Sequence, residues 1–166
     1  MNRKRLFVIA AMVLGAAALS AASLLSGHPR VIYNASASVP LGFYVVTPDK
    51  ALRRGDLVLV HTPAQVRDLA DRRHYLPRAV PMLKHVAALN GDVVCASGRM
   101  IFINSNWRAE RESLDHLGRE LPTWQGCRTL GARDLFLLNP DVRDSFDGRY
   151  FGVVDRGLVI GKVRPL

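Results

Sequence analysis

Two cysteines in 166 residues, Cys95 and Cys127, are too few to frame a disulfide-rich miniprotein. Neither sits in a Cys-x-x-Cys or beside a His-x-x-x-His pair, so metal binding has no support in the spacing. Aromatic residues make up only 7% of the chain, with no zinc-finger spacing, basic helix or RNA-stacking aromatic run. Acidic residues are scarce too: 14 Asp and Glu stand against 23 Lys and Arg, a formal net charge of +9. That excess suggests acidic partners. The basic residues are dispersed, from Arg53 and Arg54 through Arg108 to Arg164, which does not favour nucleic acid; anionic lipid headgroups beside a membrane explain the charge more simply. Internal repeats and a second domain are both missing, and the length suits one domain that needs no staple. Cys95 and Cys127 stay open between a disulfide in an oxidising compartment and two small buried side chains.

Charge is also missing from residues 6–25, directly after Arg3, Lys4 and Arg5. Twenty helical residues rise about 30 Å, the thickness of a bilayer's hydrocarbon core. A cleaved leader has a shorter apolar stretch of about 7–15 residues. Residues 16–23 do contain small-x-small triplets, but the length favours an uncleaved single span. The three basic residues before it put the N-terminus in the cytoplasm and the rest outside. The expected division is a cytoplasmic tip and transmembrane anchor over 1–26 and an exported domain over 27–166.

The exported part reads as a series of short strands. Residues 31–33, 43–47, 57–60, 82–89, 93–96, 100–104, 135–138 and 157–163 are apolar runs of strand length, separated by turn residues. Residues 57–60 should be covered on both faces. Asn90-Gly91 is a strong hairpin signal. Residues 61–81 read as a surface excursion with a short helix around Val66, Leu69 and Ala70, ended by Pro77. Residues 105–129 are polar and read mostly as loop, as do 141–152. The spacing predicts a mainly β, antiparallel domain.

The stretch that could carry chemistry is Asn34-Ala35-Ser36-Ala37-Ser38-Val39-Pro40-Leu41-Gly42. In an extended segment Ser36 and Ser38 share a face, and Pro40 stiffens what precedes it. A serine needs a base before it can attack a peptide. Lys84 lies in an apolar strand where desolvation would lower its pKa and leave a neutral amine, unless it reaches solvent. His85 is the rival but points to the opposite face; His61, His74 and His116 lack a Gly-x-Ser-x-Gly elbow to serve. Composition and spacing alone leave the choice open.

Ser36-x-Ser38-x-Pro40-x-Gly42, Gly55-Asp56, Lys84-His85-Val86 with Gly91-Asp92, and Ser145-Phe146-Asp147-Gly148-Arg149-Tyr150-Phe151-Gly152 follow the order of the boxes of type I signal peptidases. The chain resembles that family over nearly its whole length, and within it the conjugative-transfer branch, the TraF peptidases. The resemblance implies a β-rich signal-peptidase core with an extended substrate groove, and no metal or other cofactor. It assigns Ser38 as nucleophile, Lys84 as general base, Ser36 with the Ser38 N–H as the oxyanion hole, Ser145 as the hydroxyl orienting the lysine, and Asp147 and Arg149 as a supporting ion pair. Three departures stand out: Val39 follows the nucleophile in place of Met, Gly148 stands where the family has Ser, and Asn139-Pro140-Asp141 replaces Gly-Asp-Asn-Arg.

The expected protein is therefore a membrane-anchored serine endopeptidase with its catalytic domain in the periplasm. By resemblance its partner is an exported, pilin-like precursor, cleaved through an acyl-enzyme that the pilin's own amino terminus could resolve into a ring. Other proteins of a transfer apparatus are further expected partners. The alternatives are a general signal peptidase and a non-catalytic component of the apparatus. A self-cleaving repressor with the same chemistry has no room here for a DNA-binding domain.

Overall fold

The computed structural model describes residues 3–25, 31–48 and 51–166, and in the first helix the side chains at 4–5, 7–18 and 20. The chain divides into two units, one reaching residue 30 and one spanning Val31–Leu166. The first holds helix α1, Arg3–Leu25. Its apolar side chains Phe7, Val8, Ile9, Met12, Val13 and Leu14 are exposed. Among the described residues no helix is long and apolar enough to cross a membrane. The crossing expected over 6–25 is thus not supported there, because the side chains that complete the run (Leu6, Leu19 and 21–25) lie outside the described residues.

The second unit is mainly antiparallel β. In chain order it contains β1 (Val31–Asn34), β2 (Gly42–Thr47), β3 (Leu57–Val60), helix α2 (Ala64–Arg72), β4 (Met82–Ala88), β5 (Val93–Ser97), β6 (Met100–Ile103), β7 (Asn106–Glu110), β8 (Gly126–Thr129), β9 (Asp134–Leu138), helix α3 (Gly148–Phe151), β10 (Val154–Asp155) and β11 (Val159–Pro165). Seven strands form one sheet in the order β1-β2-β11-β3-β4-β9-β10, and four form a second, β7-β6-β5-β8. Every pairing is antiparallel. The last strand, β11, inserts between β2 and β3, so the chain end closes the large sheet around its middle.

Side-chain alternation explains the core. On β3, Val58 and Val60 pack with Leu135, Leu137 and Phe151, while Leu59 faces Val39, Tyr44 and Leu83. The expectation of two covered faces holds. Neighbouring β4 shares the second cluster through Leu83, which packs with Val39; Lys84 and Ser38 each lie one residue away. This packing brings the serine turn and the lysine strand to one place.

One local expectation is corrected and two are refined. Asn90-Gly91 does not make a hairpin, since β4 pairs with β3 and β9 whereas β5 pairs with β6 and β8. The turn instead passes the chain from one sheet to the other. Buried Asp92 anchors it, accepting from Leu89 N (2.8 Å), Arg54 Nε (2.9 Å) and Asn104 Nδ2 (2.8 Å). The Arg54 hydrogen bond, against the opposing effect of burial, takes its carboxyl down to about 2. Residues 105–129 are mostly loop, as expected, but they also supply β7 and β8, the edges of the small sheet, whose exposed side chains account for their polar composition. The 141–152 stretch contains α3, a single turn too short to leave a periodic pattern.

Cys95 and Cys127 face each other in the β5–β8 ladder and form a disulfide across a 32-residue separation. All four β8 residues are exposed, so little apolar burial holds that edge. Replacing both cysteines with alanine should lower the unfolding free energy by about 3–4 kcal/mol in the chain-entropy account. Denaturant titration checks this, and reduction of the native protein should reproduce the loss.

Candidate active site

The serine turn is built by Asn34, buried at the end of β1. Its Nδ2 donates to the carbonyls of Ser36 (2.8 Å), Val39 (2.9 Å) and Pro40 (3.1 Å), and its Oδ1 accepts from Ser36 N (3.1 Å) and Ser36 Oγ (2.8 Å). Tyr44 Oη adds a 2.7 Å bond to the Pro40 carbonyl. Ser36 and Ser38 therefore meet in a compact turn, not along an extended strand, with their Oγ atoms 2.9 Å apart. Because Ser36 gives its hydrogen to Asn34, its oxygen is left to accept that of Ser38.

Lys84 occupies the middle of β4 and is 4% exposed. Its Nζ donates to Ser145 Oγ at 2.7 Å. Burial pushes the amine down to about 8; the nearby Asp147 carboxylate opposes that and Arg149 reinforces it. A fraction of such a lysine is neutral at physiological pH and can accept a proton.

Asp147 and Arg149 form a fully buried ion pair, Nη2 to Oδ2 at 2.9 Å and Nε to Oδ1 at 2.9 Å. The guanidinium also donates to the carbonyls of Asn139 (3.1 Å), Val142 (2.6 Å) and Arg143 (3.1 Å), pinning the loop between β9 and α3. Gly148 between them has a steric reason. A Cβ there would come within 2.6 Å of the Leu137 carbonyl and 2.7 Å of the Phe136 ring, so the serine usual in the resembled family does not fit.

Asn139, to which sequence reasoning gave no role, joins these parts. Its Nδ2 donates to the Ser38 carbonyl (2.8 Å) and the Leu83 carbonyl (3.3 Å). Its Oδ1 accepts from His85 N (3.2 Å) and contacts His85 Nδ1 (3.1 Å), and its own N–H donates to Asp147 Oδ2 (3.0 Å). One amide thus ties the serine turn to the lysine strand and both to the buried ion pair. In the sequence the only signal was an Asn-Pro turn. Asn139→Ala should slow turnover by about 10²-fold through loss of alignment, with a drop of about 1–3 kcal/mol in stability from the unpaired buried groups. Comparing kcat with the unfolding midpoint separates the two effects.

The structure thus brings Ser36 next to Ser38, and Lys84 together with Ser145, Asp147 and Arg149. Among the described hydrogen bonds none joins Ser38 directly to Lys84; the link runs through Asn139 and the packing of Val39 on Leu83. Of the rival histidines only His85 reaches this network. Among the described residues no group of three or more His, Cys, Asp or Glu could hold a metal ion.

The family model described as signal peptidase, peptidase S26, matches residues 3–166. Two plasmid transfer proteins TraF of Escherichia coli are similar to the chain. One is 32% identical over 164 residues, covering 92% of this chain and 90% of its own, and the other is 31% identical over 161 residues, covering 91% and 89%. A signal peptidase I structure from Enterococcus faecalis is similar at 20% identity with a TM-score of 0.39, covering 67% of this chain and 95% of its own.

Proposed function

Because this chain belongs to the signal peptidase S26 family, whose membership implies serine peptidase activity, we propose that it is a membrane-anchored endopeptidase using Ser38 as nucleophile and Lys84 as base on an exported precursor. The observation that carries this is the buried Lys84 amine, pushed down to about 8 and held by Ser145, on a strand tied through Asn139 to the Ser38 carbonyl. Neutral Lys84 takes the Ser38 hydroxyl proton as Oγ attacks the scissile carbonyl carbon. The developing oxyanion is met by the Ser38 N–H and by Ser36, once its hydroxyl turns away from Asn34. Lys84 then returns the proton to the departing amine, leaving an ester on Ser38. An incoming water or amine resolves the ester, its proton passing by way of Lys84 to Ser38 Oγ.

Strand β1 lies at one edge of the seven-stranded sheet and leads into the serine turn, which supports a substrate bound extended by strand addition. The apolar side chains at consecutive positions of α1 support a membrane anchor, since a helix apolar all round needs an apolar surrounding. With the exported domain in the periplasm, anionic lipid would lie close to its positive charge. The names of the two Escherichia coli relatives support plasmid transfer, and with it a conjugative pilin precursor as substrate and other transfer-apparatus proteins as partners.

In cells carrying the pilin precursor, the wild type should produce mature pilin, and deleting the gene should abolish mature pilin while leaving bulk secretion intact. Loss of general secretion on deletion would replace this reading with a housekeeping signal peptidase. If the pilin's amino terminus resolves the acyl-enzyme, its mass falls one water below the linear processed chain. A linear mass overturns cyclisation alone. Wild-type levels of mature pilin with Ser38→Ala would leave only a non-catalytic role.

A further inference from the structure

Beside Ser38 lies a cavity of about 370 Å³ that Lys84 does not line. Val39, Leu41, Pro140 and Val142 make apolar walls, and His85 and Asp141 supply its chemistry. The His85 ring is defined by its neighbour. Because Asn139 turns its NH₂ toward the Ser38 and Leu83 carbonyls and its oxygen toward His85 N, the only partner it offers Nδ1 is an acceptor. Nδ1 therefore carries the hydrogen, and Nε2 of the neutral ring keeps a lone pair. Asp141 is exposed and, among the described hydrogen bonds and ion pairs, engages no partner. That contrasts with Asp92, Asp115, Asp134, Asp147 and Asp155, each of which is paired with an arginine. Nearby Arg143 is committed to Glu112 at 2.5 Å.

Apolar walls, an acceptor nitrogen and an uncompensated carboxylate complement one kind of side chain: an aliphatic stem that ends in a cation. We propose that this cavity is a substrate subsite for a lysine or arginine next to the scissile bond, with Asp141 pairing the cation and His85 accepting from it. The proposal rests on Ser38 being the nucleophile, since that is what makes the cavity adjoin the scissile bond. It gives Asn139 a second effect, fixing the histidine tautomer that presents an acceptor.

The test uses fluorescent peptides with an Ala-x-Ala core, in which each of the three positions on either side of the scissile bond is in turn lysine, norleucine or glutamate. Binding is measured by anisotropy to Ser38→Ala protein and cleavage with wild type, and both are repeated with Asp141→Asn added. At one position lysine should be preferred to norleucine about 3- to 5-fold, the yield of a partly exposed ion pair, with glutamate weakest. Asp141→Asn should reduce that ratio to near one; taking the ratio within each protein cancels any general loss of activity. Equal binding of lysine and norleucine peptides at every position, or a lysine preference that survives Asp141→Asn, overturns the proposal. A lysine preference in binding without any wild-type cleavage supports the subsite and counts instead against the peptidase reading.

Discussion

Lys84→Ala and Ser38→Ala are each expected to lower precursor processing by about 10⁴-fold or more, the scale seen when one member of a catalytic unit is removed. Lys84→Arg should be as inactive, because a guanidinium stays charged and cannot take the serine proton. With Lys84 as the base, the active form would have a neutral amine, so kcat/KM should rise with pH and level off above about pH 8, where burial has left the Lys84 pKa. At pH 7 about one-tenth of the molecules are in that form. A flat profile, or undiminished processing by Lys84→Ala, would place the base elsewhere, and His85 is the next candidate in the network.

The same burial has an effect on stability with a definite sign. The folded pKa lies below the unfolded 10.5, so between about pH 8 and 10.5 the unfolded chain holds more protons and stability rises with pH. Below pH 8 both states are protonated and the folded state bears the full penalty, about 3 kcal/mol. Lys84→Met should accordingly be inactive yet more stable than wild type by up to that amount at pH 7, with the gain shrinking above pH 8. Thermal unfolding of the two proteins at pH 7 and pH 10 measures it.

Arg149→Met is expected to destabilise the domain by about 3–5 kcal/mol, because it leaves the Asp147 carboxylate, 0% exposed, without its counter-ion. The carbonyls of Asn139, Val142 and Arg143 lose their donor in the same step. For a domain of this size that corresponds to a drop of about 10 °C or more in Tm. Adding Asp147→Asn should recover part of the loss, since the worst consequence is the stranded charge. Because Asp147 raises the Lys84 pKa, Asp147→Asn alone should also shift the pH–activity midpoint downward. An unmoved midpoint would separate the ion pair from the lysine and leave it a purely structural role.

Most strands of the large sheet are legible because their residues are buried on at least one face, and β3 on both, which leaves runs such as 57–60 and 135–138 unmistakably apolar; the two-residue β10 is too short to show. Strands β7 and β8 are not legible, since an edge strand on a small sheet exposes most of its side chains and needs no apolar pattern. Asn90-Gly91 is a turn, as its residues predict, but not a hairpin turn. Turn chemistry sets where the chain reverses, and only sheet pairing sets what lies beside what. Lys84 could be named as a candidate from its apolar neighbours, but its burial, its bond to Ser145 and its depressed pKa depend on residues 61 positions away. Asn139 shows the limit most clearly: an Asn before a Pro looks like a turn in any sequence.

By itself, the sequence determined the chemistry available to this protein: two closely spaced hydroxyls, a lysine at 84 in an apolar strand, an Asp-Gly-Arg run, and an uncharged run over residues 6–25. Those are matters of residue type and short-range spacing, which local preference and hydrophobic patterning record. The tertiary structure decided which of these groups share a site. Inserting β11 between β2 and β3 and pinning the Asn139 loop with Arg149 bring into hydrogen-bond range side chains that lie far apart along the chain. Long-range packing, unlike helix or strand propensity, leaves no periodic trace in the residues that carry it out.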